Sequence, residues 1–138
     1  MTMPESAKTI LLVDDEAPVR AYLTGILRAD GYGVLEAADY DEALAMYQQH
    51  QGEVGLLLID VSLPGKNGFE LARTMLAIEP KLKVLFISGH VGTELCRFYD
   101  IPPTDVHFLQ KPFQPMELLQ RVRFVSQLGR PASDSASA

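Results

Sequence analysis

The chain has 138 residues, of which 47% are apolar and 22% charged, and these proportions fit one ordinary globular domain. Twelve basic against eighteen acidic residues give a formal net charge of −6, which argues against binding to nucleic acid or to an anionic membrane surface. The longest unbroken apolar run, Ala43 to Tyr47, is far too short to span a membrane, and the polar N-terminus lacks the apolar stretch of a secretory signal. A single cysteine, Cys96, forms neither an internal disulfide nor a zinc site by itself. We therefore expect a cytoplasmic protein.

Five short apolar runs predict strands, and the segments between them have helical spacing. Strands are predicted over 9–13, 33–36, 55–60, 83–88 and 106–109, and helices over 18–30, 39–50, 67–78, 92–99 and 115–128. Three of the runs, such as Leu56 to Ile59, hold four continuous apolar residues, which is typical of strands buried on both faces of a parallel sheet. The helix over 92–99 is short because it runs into Pro102-Pro103, through which no helix continues.

The alternation of strands and helices predicts an α/β fold, with a parallel sheet, right-handed crossovers and helices on both faces. We assign residues 9–128 to one domain, 1–8 to an N-terminal extension and 129–138 to a disordered tail with little apolar mass. No internal repeat and no linker to a second domain is evident.

Residues able to carry chemistry fall at the carboxyl ends of the predicted strands, where open parallel sheets bind their ligands. Four separate segments share this position: Asp14-Asp15-Glu16, Asp60, Ser88-Gly89 and Lys111-Pro112. Acids brought together at one rim repel each other, and a divalent cation relieves that repulsion. Oxygen ligands without His or Cys favour Mg²⁺, which commonly combines one or two carboxylates with phosphate oxygens.

This set of residues indicates phosphoryl transfer. An ionised carboxylate can itself act as a nucleophile and form an aspartyl-phosphate. Lys111 would then contact the phosphoryl oxygens, and Ser88 would donate a hydrogen bond to them. Each residue alone has a simpler interpretation, with Asp15 as a helix cap, Ser88-Gly89 as a turn and Lys111 as a solvated side chain. The hypothesis depends on the set and not on any one member.

Four motifs, in this order, resemble those of two-component response-regulator receiver domains, the CheY-like family. They are Leu11-Leu12-Val13-Asp14-Asp15-Glu16, Leu58-Ile59-Asp60-Val61-Ser62-Leu63-Pro64-Gly65-Lys66-Asn67-Gly68, Phe86-Ile87-Ser88-Gly89 and Phe108-Leu109-Gln110-Lys111-Pro112-Phe113. The resemblance extends from Thr9 to Leu128. It implies a flavodoxin-like, doubly wound five-stranded parallel sheet with strand order 2-1-3-4-5 and helices on both faces.

The resemblance also implies a phosphorelay function. Asp60 would accept a phosphoryl group from a histidine kinase or a phosphotransfer protein. The implied cofactor is Mg²⁺, bound directly by Asp15, Asp60 and the backbone carbonyl of Ser62, with Asp14 acting through water. Lys111 would pair with the phosphoryl group, with a cis peptide before Pro112.

Further positions match the switch and loop residues of the family. Ser88 would move toward the phosphoryl group while the aromatic ring of Phe108 turns inward, and Pro64 and Gly68 would shape the loop after Asp60. Phosphorylation would thereby change a protein-interaction surface.

Some positions depart from the common receiver pattern or stay open. Phe108 lacks the hydroxyl of a tyrosine, and Pro102-Pro103 replaces a small turn, which affects the fourth predicted helix and the face around it. His90 either modulates the lifetime of the phosphoryl group or is an exposed loop histidine. His50 and His107 are expected to be structural or to face solvent.

Two other functions compete with the phosphoaccepting receiver. One is a pseudo-receiver, an interaction module that is never phosphorylated. The other is a small-molecule phosphatase of the haloacid-dehalogenase type, although those enzymes usually have a second Asp where this chain has Ser62. On the receiver interpretation the chain is not an enzyme beyond its own Mg²⁺-dependent phosphorylation and dephosphorylation.

The expected output surface is formed by the fourth helix, the fifth strand and the fifth helix. Candidates for its apolar part are Leu95, Phe98, Tyr99, Met116 and Leu119, although core burial is an alternative for most of them. A stand-alone regulator, a relay intermediate and a receiver from a hybrid histidine kinase all remain open, and so does dimerisation.

Overall fold

The computed structural model describes residues 9–63, 65–89 and 106–127. Its strands are β1 (Thr9–Val13), β2 (Val34–Ala37), β3 (Val54–Asp60), β4 (Lys83–Ser88) and β5 (Val106–Gln110). Its helices are α1 (Ala17–Ala29), α2 (Tyr40–Gln49), α3 (Gly68–Ile78) and α4 (Pro115–Gln127). Each of these elements agrees with its predicted range to within one residue at either end. The predicted helix over 92–99 lies outside the described residues.

The five strands form one parallel sheet with the order β2-β1-β3-β4-β5, which confirms the predicted fold. The chain leaves β1 in one direction to form β2 and crosses to the other side of β1 to form β3. Val13 pairs with Ile59, so the next residues, Asp14 and Asp60, emerge side by side at the carboxyl edge. In open α/β sheets, ligands bind in a crevice at this point of the carboxyl edge.

The sheet divides the core into two layers. Leu11 and Val13 of β1 pack in a cluster that includes residues of α2 and α3. Ile10 and Leu12 of the same strand pack on the opposite face, in a cluster that includes residues of α1 and α4. Because alternate side chains of β1 enter different cores, the strand is apolar without interruption, as its sequence predicted.

Side-chain hydrogen bonds cap the starts of α2 and α3. Asp39 precedes α2, and its side chain accepts a hydrogen bond from the backbone N–H of Glu42 at 2.8 Å. Asn67 and Glu70 form a reciprocal capping box at the start of α3. The residue before α1 is Glu16 and its side chain makes no capping bond, so the interpretation of Asp15 as a helix cap is wrong. None of the helices in the described ranges is long and apolar enough to cross a bilayer.

Candidate functional site at the carboxyl edge of the sheet

The edge of the sheet brings Asp60 and Lys111 into direct contact. The Nζ of Lys111 lies 2.6 Å from Oδ2 of Asp60. Asp60 is buried, with 5% of its surface exposed, at the last position of the central strand β3. Its other carboxylate oxygen accepts the backbone N–H of Ser62 at 2.8 Å. Each oxygen of this buried carboxylate therefore accepts a hydrogen bond.

Lys111 reaches this position from the end of β5. Its backbone N–H donates to the carbonyl of Ser88 at 2.8 Å, which extends the ladder between β4 and β5 by one step. The peptide bond between Lys111 and Pro112 is cis, as the family resemblance implied. Burial of Lys111 opposes its charged form, but the hydrogen bond and the charge of Asp60 outweigh burial and raise the pKa of the ammonium group. Lys111 is thus a permanent cation at neutral pH.

Asp14 is the most enclosed acid of the site, with 2% of its surface exposed. Its Oδ1 accepts the backbone N–H of Glu16 at 2.8 Å, whereas its Oδ2 has no hydrogen-bond partner among the described residues. Burial raises the pKa of Asp14, and the negative charge of Asp60 adds to that effect, while the Glu16 N–H and Lys111 oppose it. A buried carboxylate oxygen without a partner is costly unless a cation or water satisfies it.

The donor set fits Mg²⁺. The acids Asp14, Asp15 and Asp60 supply hard oxygen ligands, and the unsatisfied Oδ2 of Asp14 is the kind of atom that a divalent cation and its waters would pair. Within the described ranges, no three acidic, histidine or cysteine side chains form a metal cluster by themselves. A bound ion would therefore also need backbone oxygen or water, which Mg²⁺ readily accepts.

The remaining predicted residues lie around this centre. Asp15 and the side chain of Ser62 are exposed. Ser88 is buried at the end of β4, one residue after Ile87, which pairs with Asp60 in the sheet. Gly68 begins α3, and its N–H donates to the carbonyl of Val61 at 3.2 Å. The predicted residues His90 and Pro64, like Leu95, Cys96, Phe98 and Tyr99, lie outside the described residues.

Phe108 packs inward in this structure. Its half-buried ring lies 5.3 Å from the ring of Phe86 and 6.4 Å from that of Phe69, measured between centroids. These rings belong to the core layer that contains residues of α2 and α3. A phenylalanine suits this position, because a buried tyrosine hydroxyl would need a hydrogen-bond partner there.

The other residues named from the sequence are divided between surface and core. Met116 is exposed, whereas Leu119 is half-buried against the layer that contains residues of α1 and α4. His50 follows α2 and lies 3.5 Å from a Glu53 carboxylate oxygen. His107 is half-buried, and its ring meets the ring of Phe124 edge-on.

Two residues beside the site were not identified from the sequence. The side chain of Arg20 in α1 donates to the backbone carbonyl of Asp14 at 2.6 Å and to a carboxylate oxygen of Glu36 at 3.1 Å. The available signal was an arginine in the first turns of a helix that directly follows three acids. That pattern alone does not distinguish a contact with the acids from a solvated arginine.

The parallel sheet of order 2-1-3-4-5, with paired acids and a lysine at its carboxyl edge, is the architecture of a two-component receiver. The chain belongs to the response regulator receiver domain family, which it matches over residues 10–123. Receiver domains generally use Mg²⁺ and interact with histidine kinases or phosphotransfer proteins.

Individual relatives agree with this assignment. The chain is 35% identical over 116 residues to the response regulator receiver protein CpdR of Brucella abortus, covering 83% of this chain and 93% of CpdR. It is 33% identical to the phosphate regulon transcriptional regulatory protein PhoB of Pseudomonas aeruginosa, covering 94% of this chain but only 56% of PhoB. The crystal structure of the receiver domain from the hybrid histidine kinase CckA is 39% identical, with a TM-score of 0.72, and the match covers 86% of this chain and 99% of that domain.

Proposed function

We propose that this chain is a phosphoaccepting switch, in which Asp60 receives a phosphoryl group from a histidine kinase or a phosphotransfer protein. The observation that carries the proposal is the buried Asp60 carboxylate with the Lys111 ammonium 2.6 Å from its Oδ2, at the crevice of the sheet. The domain is taken as residues 9–128, and it would meet its kinase in the cytoplasm. The family assignment lends no support to the alternative of a small-molecule phosphatase.

The chemistry requires only an ionised carboxylate and charge stabilisation. A carboxylate oxygen of Asp60 forms a bond to phosphorus as the phosphorus–nitrogen bond of the phosphohistidine breaks, and the electron pair of that bond stays on the imidazole. Lys111 lies beside Oδ2 of Asp60 as a cation, where it would pair with the phosphoryl oxygens. No general base is needed, because an ionised carboxylate is already a nucleophile.

Mg²⁺ would be held by Asp15, Asp60 and the backbone carbonyl of Ser62, with Asp14 acting through water. When bound, the ion supplies positive charge that offsets the negative charge of the incoming phosphoryl group. The unsatisfied Oδ2 of Asp14 supports this assignment, since it is a buried acceptor that faces no donor among the described residues. Burial and the negative charge of Asp60 raise the pKa of Asp14, and a bound cation would offset both effects.

Phosphorylation would be transmitted as a change in a protein-interaction surface. A phosphoryl group adds about −1.5 to −2 charges at the edge of the sheet. Ser88 would donate a hydrogen bond to it, and the position of Phe108 would respond, with His90 modulating the lifetime of the phosphorylated state. Two of the candidate residues of the expected output surface are described, both on α4, which is the predicted fifth helix: Met116 is exposed and Leu119 is half-buried.

Intact-mass spectrometry after incubation with acetyl phosphate tests the proposal. We expect the wild-type chain to gain one phosphoryl group with Mg²⁺ and none with EDTA, and Asp60→Asn to gain none. Asp30→Asn is the matched control, because it removes an aspartate that pairs with Arg123 on α4. This control should be modified like the wild type.

Other outcomes would contradict the proposal in distinct ways. Modification of Asp60→Asn at the wild-type level would show that another residue is the acceptor. A wild-type chain that resists both acetyl phosphate and a phosphorylated kinase, under conditions that modify a known receiver, would be a pseudo-receiver. Turnover of small phosphate esters would indicate the phosphatase.

A further inference from the structure

The side chain of Arg20 links the acidic loop after β1, Asp14-Asp15-Glu16, to Glu36 of β2. Its Nη1 donates to the backbone carbonyl of Asp14 at 2.6 Å, and its Nε donates to Oε1 of Glu36 at 3.1 Å. The arginine side chain is only 18% exposed, and both contacts are partly buried. One planar guanidinium thus joins α1 and β2 to the residue that follows β1.

The contact with Arg20 is one of three hydrogen bonds by which the protein holds Asp14. The backbone N–H of Asp14 donates to the carbonyl of Ala37 at 3.1 Å, which extends the pairing of β1 with β2. Its Oδ1 accepts the N–H of Glu16, and its carbonyl accepts Arg20. Three of the four polar groups of Asp14 are therefore bound by protein, and the fourth, Oδ2, is the one left for the site.

We propose that Arg20, anchored by Glu36, is a positioning residue that orients the loop of Asp14 and Asp15 for binding Mg²⁺. This inference rests on the proposed function, since it concerns the same ion. Arg20 does not contact the phosphoacceptor or the reacting atoms, and it acts through the backbone of Asp14. Groups that orient metal ligands in this way commonly change metal affinity by about 10-fold to 100-fold when they are removed.

The charge of Arg20 and its positioning role predict opposite effects on the affinity for Mg²⁺. Arg20 is a cation near a site for another cation, so its charge alone weakens Mg²⁺ binding. If only charge mattered, Arg20→Gln would bind Mg²⁺ more tightly than the wild type. If Arg20 positions the loop, the same change weakens binding although it removes a positive charge.

Arg28 supplies a matched control on the same helix. Its Nη2 donates to the backbone carbonyl of Val34 at 3.0 Å, a contact of the same kind and the same sequence separation as that of Arg20 with Asp14. Arg28 lies at the end of α1 that is remote from the acidic loop. Arg28→Gln therefore removes the same charge and the same type of hydrogen bond without touching the site.

The experiment measures Mg²⁺ affinity of the unphosphorylated chain by isothermal titration calorimetry, with the melting temperature recorded in EDTA. We expect about 10-fold weaker binding for Arg20→Gln and wild-type binding for Arg28→Gln. Arg20→Lys keeps the charge but cannot make both contacts, so it should also bind Mg²⁺ less tightly than the wild type. Saturating Mg²⁺ should restore the rate of phosphorylation by acetyl phosphate in Arg20→Gln, because the reacting groups are intact.

Binding of Mg²⁺ by Arg20→Gln as tight as or tighter than that of the wild type would overturn the inference and leave the proposed function standing. Equal weakening in both glutamine variants would also overturn it, because the effect would then belong to the helix. If Arg20→Gln does not fold, the Mg²⁺ affinity of Arg20→Lys is the test, and binding as tight as that of the wild type would overturn the inference. A wild-type chain that binds no Mg²⁺ would contradict the proposed function itself, and this inference with it.

Discussion

Gly68 approaches the backbone of Asp60 so closely that a β-carbon at position 68 would lie 2.7 Å from the Asp60 carbonyl oxygen. The same atom would lie 2.8 Å from the Cα of Val61. The start of α3 thus packs closely against the backbone that leaves Asp60. Glycine is required here by space, since any larger residue must push backbone atoms apart.

We expect Gly68→Ala to lower the free energy of unfolding by about 1–3 kcal/mol, because the added methyl group overpacks a backbone contact that cannot yield easily. Urea denaturation followed by circular dichroism measures this. The control is Gly25→Ala on the exposed side of α1, where nothing lies within 4 Å of the new atom. That change should stabilise the helix by about 0.5–1 kcal/mol. A Gly68→Ala variant as stable as the wild type would show that α3 can shift away from Asp60.

We expect Asp14 to lower the stability of the ion-free protein and to favour the binding of Mg²⁺. In EDTA at pH 7 we expect Asp14→Asn to raise the free energy of unfolding by about 1 kcal/mol, because the amide removes a buried charge near Asp60 and carries no net charge itself. The raised pKa sets the sign of the pH dependence. The folded state holds this proton to higher pH than the unfolded state, so wild-type stability falls as the pH rises above 3.8 and through the folded pKa.

The test for Asp14 is chemical denaturation in EDTA and in Mg²⁺, with Asp41→Asn as the control. Asp41 is exposed in the first turn of α2, so its substitution removes the same charge from a place where it favours the helix. We expect Asp14→Asn to gain less stability from Mg²⁺ than the wild type does. Lower stability of Asp14→Asn in EDTA would contradict the argument.

His107 should make the protein less stable in mild acid. Burial lowers the pKa of its ring, and the positive charges of Arg121 and Lys83 add to that effect. Between the folded pKa and 6.5 the unfolded state binds more protons, so the free energy of unfolding falls as the pH is lowered through this window. We expect His107→Asn to show a shallower decline between pH 7 and pH 5, with measurements at pH 8 isolating the effect of packing. An unchanged slope would indicate that His107 is freely protonated in the folded state.

Phe108 should contribute more to stability than the exposed Phe124. The ring of Phe108 packs against Phe86 and Phe69, whereas 56% of Phe124 is exposed on α4. We expect Phe108→Ala to cost about 2 kcal/mol of unfolding free energy, which is below the value for a fully buried phenylalanine because Phe108 is half-buried. Phe124→Ala should cost clearly less. Equal effects of the two substitutions would show that Phe108 spends much of its time outside the core.

Much of the candidate site was predictable because it depends on chain order and on periodicity. Continuous apolar runs indicated buried parallel strands, and the alternation with helices indicated a doubly wound sheet. In such a sheet the residues after each strand share one edge, so Asp14, Asp60, Ser88 and Lys111 were expected together before any coordinates. Of these four residues, Lys111 and Asp60 are in direct contact. The roles of these residues in phosphoryl transfer remain predictions.

Other features depended on the direction of side chains and on close approach between distant segments, which periodicity does not encode. The bridge of Arg20 to Glu36 and Asp14 needs one rotamer and a particular spacing between α1 and β2. The contact of Gly68 with Asp60 depends on how α3 leans against the strand end.

The amino-acid sequence by itself therefore determined the parallel sheet, the two-sided core and the set of polar residues at one edge, because these follow from local pattern and connectivity. The strand order was implied by the resemblance to receiver domains. Only the tertiary structure decided which oxygen of Asp14 is left without a donor, that Asp15 does not cap α1, and that the ring of Phe108 lies inside. Those outcomes depend on packing between elements, where a rotation of one bond exchanges a protein partner for solvent.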